Sequence, residues 1–262
     1  MIAAAAAAML LVSCTVKEDR EDCPCFLTLD LGGVGGAGLA QQGLHDLSIM
    51  LASDDGYSRK EDFRLEDNVK EYNVAVPKSG LEVMAVCAGG GECSVEEGFV
   101  IGHGDECPVV YMFTDAFVAD SGDMRRTVVL HRNFCGLSVR MKTSFNALPR
   151  PFVISVEGNV RGYHLDGTPA EGPFSCISAP SVAGECSVRI PRQTDASLRL
   201  VIDFQDSDEV RSFPVGEYIL ESGYDWTRPD LEDISVEMDF SLSGLTFTIS
   251  KWKKTLFFEM TI

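Results

Sequence analysis

Sulfur offers this chain its widest chemistry. Nine cysteines are spread over 262 residues, and their surroundings divide them into two uses. Cys14 closes the run Leu11-Val12-Ser13-Cys14, at the end of an apolar stretch that begins at Ile2. A short apolar core, then a small residue, then Cys is the pattern of a lipobox at the end of a processed signal. The peptidase needs a small side chain at Ser13 to reach the bond, and the Cys14 thiol is what receives the diacylglycerol. The stretch is too short to cross a hydrocarbon layer of about 30 Å as a helix. Cys14 is therefore the expected lipidation site, with palmitate-type chains as the anchor. Residues 1–14 form the signal and 15–24 a charged linker.

The other eight cysteines are Cys23, Cys25, Cys87, Cys93, Cys107, Cys135, Cys176 and Cys186. An even number in an exported chain favours disulfides. Eight cysteines allow 105 connectivities, and the two short loops, Cys93 with Cys107 and Cys176 with Cys186, are the candidate pairs. Zinc is the weaker reading. Cys23-Pro24-Cys25 has a single intervening residue, and no matching Cys or His pair follows.

Other residues that could do chemistry lack the required context. Gly33-Val34-Gly35-Gly36-Ala37-Gly38 satisfies G-x-G-x-x-G after a predicted strand. The segment Leu39–Gly43 is too short for the helix that would cradle a pyrophosphate, so a flexible loop is expected. His45, His103, His131 and His164 show no metal-binding spacing. Asp203, Asp206, Asp208 and Glu209 lack the Gly and terminal Glu of a calcium loop. No G-x-S-x-G elbow occurs. Carboxylate pairs carry little weight where 40 acidic residues guarantee chance neighbours. Trp226, ahead of Pro229-Asp230-Leu231, reads as a buried anchor rather than an exposed sugar platform.

The elements that must position these residues are strands. Leu27, Leu29 and Leu31 alternate with polar neighbours. So do Leu137, Val139 and Met141; Leu198, Leu200, Ile202 and Phe204; Ile234, Val236, Met238 and Phe240; and Leu245, Phe247 and Ile249. Period two marks half-buried strands. No long stripe of helical period appears, and 24 Gly and 11 Pro punctuate the runs. This is an all-β pattern of sandwich type. A break near His131-Arg132-Asn133 divides it into halves, 25–131 and 132–262. The formal net charge of -18 argues against nucleic-acid binding and against docking on anionic lipid.

Several segments together resemble one family. They are the lipobox, Arg20-Glu21-Asp22-Cys23-Pro24-Cys25-Phe26-Leu27-Thr28-Leu29-Asp30, Cys107-Pro108-Val109-Val110-Tyr111-Met112-Phe113, and Val129-Leu130-His131-Arg132-Asn133-Phe134-Cys135. The tail from Gly223-Tyr224-Asp225 to Lys251-Trp252-Lys253 completes the set. The pattern resembles the FimB-type fimbrial anchor subunits of Bacteroidota. Lys17-Glu18-Asp19 likewise resembles the signal that exports lipoproteins of those bacteria to the outer face of the outer membrane. The resemblance implies two tandem transthyretin-like β-sandwich domains and no enzymatic activity or small-molecule cofactor. It implies a lipid-anchored surface protein that attaches a fimbria to the outer membrane and limits its growth. Its partners would be fimbrial (pilin) subunits, joined by strand donation. Leu256, Phe258, Met260 and Ile262 alternate with Phe257, Glu259 and Thr261, which makes this segment the candidate donor strand. The alternative reading is a surface glycan- or ligand-binding lipoprotein on the same sandwich.

Overall fold

The computed structural model describes residues 24–34, 37–120, 122–143, 151–241 and 244–257. In chain order the strands are β1 (Cys25–Asp30), β2 (Asp46–Ser53), β3 (Ser58–Arg64), β4 (Glu71–Val76), β5 (Gly80–Ala88), β6 (Glu92–Ser94) and β7 (Gly98–Val100). They continue as β8 (Val110–Val118), β9 (Asp123–Thr127), β10 (His131–Arg132), β11 (Phe134–Thr143), β12 (Phe152–Tyr163) and β13 (Pro169–Ser178). The last are β14 (Glu185–Pro191), β15 (Arg199–Phe204), β16 (Val210–Phe213), β17 (Ile234–Ser241), β18 (Gly244–Ile249) and β19 (Trp252–Phe257). Two short helices, α1 (Ala37–Gln41) and α2 (Val215–Glu221), interrupt them.

The described strands form four sheets and two apolar cores. The first core lies between the sheet β4-β1-β9 and the sheet β10-β8-β5-β2-β3. The second lies between β14-β11-β17-β18-β19 and β16-β15-β12-β7-β6, with β13 beside β12. Alternation explains the packing. Cys25, Leu27 and Leu29 of β1 are wholly buried, while Phe26 between them is exposed. Leu200 and Ile202 of β15, Val236 and Met238 of β17, and Leu245 and Phe247 of β18 are buried in the same way. Trp226 is buried with its ring edge-on to Tyr224 at 4.7 Å, the anchor role its position suggested.

One sheet is covered on both faces, which is unusual for antiparallel strands. On β5, Leu81, Val83, Ala85 and Cys87 enter the first core, and Met84 and Val86 enter the second. Met50 of β2 and Met112 of β8 join them there, together with Phe99 and Ile101. The hairpin β6–β7 precedes residue 131 in the chain, yet it pairs with β12 through Tyr163↔Phe99 and Gly162↔Val100. Glycine makes that approach possible. A Cβ on Gly162 would stand 2.0 Å from the Phe99 carbonyl oxygen. Gly98 has φ +78 and would place a Cβ 2.2 Å from the Tyr163 carbonyl oxygen.

Polar groups close the same region. Tyr163 is fully buried; its hydroxyl donates to the Asn133 carbonyl and accepts from the Arg192 N–H at 2.8 Å. The Arg192 guanidinium donates to Asn133 Oδ1 and to the carbonyls of Trp226, Arg228 and Pro229. Burial pulls this guanidinium below the ordinary arginine value.

Candidate functional site

Cys14, Lys17, Glu18, Asp19, Phe258, Met260 and Ile262 lie outside the described residues. The described part of the candidate donor segment is Leu256, and it belongs to β19. This strand is the edge of its sheet and pairs antiparallel with β18, from Ile249↔Trp252 to Leu245↔Leu256. Trp252, Lys254 and Leu256 are half-buried, while Lys253 and Thr255 are exposed. Leu256 packs against the second core, as does Trp252. The candidate strand is thus held in its own sheet as far as Phe257.

α2 covers the inner face of that edge. The Trp252 ring lies 5.7 Å from the Tyr218 ring, and Tyr218 in turn packs on Phe247 at 4.9 Å. Lys254 Nζ sits 5.1 Å over the Tyr218 ring and 3.2 Å from Glu221 Oε1. A half-buried charge on the inner face of an edge strand discourages indiscriminate pairing with other chains. Glu221 partners that charge from α2. Across the outer face, the hydroxyls of Thr246 and Thr255 meet at 2.9 Å.

The strand nearest the linker is built differently. β1 is hydrogen-bonded on both sides, antiparallel to β4 and parallel to β9. Outward side chains reinforce the pairing. Thr28 donates to Asn73, and Arg125 reaches from β9 to Asp30 at 2.9 Å and Glu71 at 2.7 Å. The Gly32 N–H, followed by Arg125, holds the Asp30 carboxyl below the ordinary carboxylate range.

All seven described cysteines are free thiols. Neither proposed short loop is bridged here, and the fold explains why. Cys93 lies on β6, across from Phe99 of β7, whereas Cys107 lies beside Arg189 of β14. In the β13–β14 hairpin Ser178 meets Ser187, so Cys176 and Cys186 stand out of register. Cys176 faces Val156 on β12, and Cys186 faces Val139 on β11.

Polar clefts are present, and among the described residues they carry no recognisable catalytic set. A cleft of about 440 Å³ is bordered by Gln42, Gly90, Asp105, Glu106 and Arg189, with no aromatic ring in its lining. Both Glu106 oxygens are taken by Arg189. Among the described residues no group of three or more His, Cys, Asp or Glu could hold a metal ion. No described helix is long and apolar enough to cross a membrane. The Gly-rich segment leads into a five-residue α1 and then β2, without the long helix a nucleotide loop requires.

No family model and no curated protein sequence matches this chain. Solved structures do. The fimbrial anchor protein Mfa2 from Porphyromonas gingivalis matches with a TM-score of 0.61 and 14% identity, over 90% of this chain and 100% of that one. A candidate polysaccharide-binding protein from Bacteroides thetaiotaomicron matches with a TM-score of 0.63 and 11% identity, over 88% and 98%. A candidate adhesin from Bacteroides ovatus gives 0.59 and 9%, over 91% and 97%. None of the three is described as an enzyme. The chain has the all-β fold of these three proteins.

Proposed function

We propose that this chain is a lipid-anchored protein of the outer-membrane surface that attaches a fimbria to the cell and limits its growth. The observation that carries this reading is the fold held in common with a fimbrial anchor along nearly the whole of both chains. The lipobox at Cys14 supplies the tether, and Lys17-Glu18-Asp19 supplies the surface address. In this reading residues 25–131 and 132–262 are two tandem transthyretin-like sandwiches.

Two local features support a role in assembly by strand donation. The place of β1 between β4 and β9 is filled from within the chain, so no groove is open there to receive another subunit's strand. A subunit closed on that side stops addition on that side. β19 presents Trp252, Lys254 and Leu256 on its core-facing side, and the same period continues through Phe258, Met260 and Ile262. Those three would fill pockets in the first pilin while main-chain hydrogen bonds supply affinity. The glycan-binding alternative would need an exposed aromatic platform, whereas Trp226 is buried and Trp252 packs half-buried on Tyr218.

The test is Cys14→Ser in cells that make the fimbria, followed by membrane fractionation and a count of free fimbriae. The variant should move to the soluble fraction, and fimbriae should be shed and lengthened. Retention of the variant in washed membranes, or normal attached fimbriae with the protein released, would overturn the reading.

A further inference from the structure

β13 and β14 leave their turn as a hairpin. Ser181 N–H donates to Glu185 O at 2.8 Å, and Ser178 Oγ donates to Ser187 O at 3.4 Å. Two residues further along each strand come Cys176 and Arg189. Here the strands part: Cys176 pairs with Val156 of β12, and Arg189 with Gly136 of β11. Glu106-Cys107, from the connection between β7 and β8, enters at this point. Cys107 N–H donates to Arg189 O at 3.1 Å, and Arg189 N–H donates to Glu106 Oε1 at 2.6 Å. The guanidinium closes the contact on Glu106 Oε2 at 2.8 Å and on Cys107 O at 2.9 Å. Cys107 therefore lies beside Arg189, at the level where β13, carrying Cys176, leaves β14. Both cysteines are buried in the second core, with exposures of 0% and 2%.

We infer that Cys107 and Cys176 form a disulfide when the chain folds under oxidising conditions. The bond would fasten the β7–β8 connection to the β13–β14 hairpin, and so join strands before and after residue 131. Cys135 is the rival partner, but it lies on β11, on the far side of β14 from Cys107. Each thiol gives up its proton, one sulfur–sulfur bond forms, and the two electrons reduce one oxidised glutathione to two glutathione thiols. Exchange runs through a mixed disulfide and needs a thiolate. Burial pushes the Cys176 thiol up to about 12 and the Cys107 thiol higher still. Thiolate is scarce once the core has closed, so the bond belongs to the folding step and is then shielded from reductants.

The full chain, refolded from denaturant in a glutathione redox buffer, tests this without lipid or fimbria, so its result is independent of the proposed function. Remaining thiols are blocked with N-ethylmaleimide. Digestion with trypsin and a glutamate-specific protease then separates Cys107 from Cys93, and Cys176 from Cys186. Mass spectrometry without reduction should show one linked peptide pair, Cys107 with Cys176. A Cys107 link to Cys135 or Cys186, or a Cys107 peptide carrying maleimide alone, overturns the inference. A thiol count in denaturant gives a second reading. Cys107→Ser should titrate one thiol more than wild type, because Cys176 is released; one thiol fewer refutes the bond.

Discussion

Deleting Phe258–Ile262 separates the two uses open to the terminal strand. The truncated chain keeps every described contact of β19: six paired positions on β18, the Trp252 ring against Tyr218, and Lys254 against Glu221. The ring pair is worth about 0.5–1.5 kcal/mol beyond its area. The half-exposed ion pair is worth at most about 1 kcal/mol. With those contacts intact, the fold should lose no more than about 1 kcal/mol, or about 2–4 °C in Tm for a chain of this size. A partner would lose far more. Phe258, Met260 and Ile262 contribute about 1.5–3 kcal/mol each when fully buried. Association costs offset part of that sum, yet a net loss of about 3 kcal/mol already weakens attachment by more than 100-fold. Trp252→Ala is the opposite control. A buried Trp→Ala change costs about 3–5 kcal/mol; with the ring half-buried, about 2 kcal/mol is expected. The assay pairs thermal melts and limited proteolysis of the purified proteins with a count of shed fimbriae. Truncation should shed fimbriae at nearly unchanged Tm. If it lowers Tm as much as Trp252→Ala does, or opens β18–β19 to protease, the tail serves its own sheet and the donation argument fails.

Three further outcomes are expected. Replacing Lys17, Glu18 and Asp19 together by Ala should leave the protein lipidated but hidden from protease shaving of whole cells; equal shaving of both forms would reduce the segment to a spacer. Arg192→Gln should cost about 2 kcal/mol in chemical denaturation, because the part-buried acceptors on Trp226 and Asn133 lose a charged donor, and an unchanged midpoint would show that water replaces it freely. Asp30 is held below the ordinary carboxylate range, so its contribution is complete above the unfolded-state pKa and fades as pH falls through the lower folded one. Asp30→Asn should therefore flatten the acid-side fall of Tm, and parallel curves for the two proteins would contradict that assignment.

Legibility in the sequence followed burial. β1, β11, β15, β17 and β18 each bury one face, so Leu27 and Leu29, or Val236 and Met238, alternate with polar residues and announce the strand. β5 is equally buried, but on both faces; Val83–Cys87 runs apolar without a period, and alternation is silent there. β3 and β9 fail in the opposite direction. As edge strands reading SRKEDFR and DMRRT, they bury too little to show any apolar period. α2 spans two turns, too short for a helical stripe to stand out. The pairing of β7 with β12 rests on Gly98 and Gly162, two glycines among 24. Local sequence cannot reveal which distant backbone a glycine admits. The same holds for Arg192, whose partners come from two separate segments, and for the thiols, whose neighbours are set by sheet register rather than by spacing.

The pairing of β1 also bears on mechanical load. A pull on Cys25 directed along the strand axis loads both seams of β1. β1 is paired over its whole length with β4 on one side, and from Phe26 to Asp30 with β9 on the other. Because the force runs parallel to both seams, the backbone bonds are strained in shear and share the tension. They do not peel one at a time, as they would if the pull were across the strand. Arg125, bridging Asp30 and Glu71, adds a rivet at the far end of the seam. Resistance to pulling is then set by the rate of rupture of that patch, and the first strand acts as a shear clamp between whatever holds the linker and the rest of the molecule.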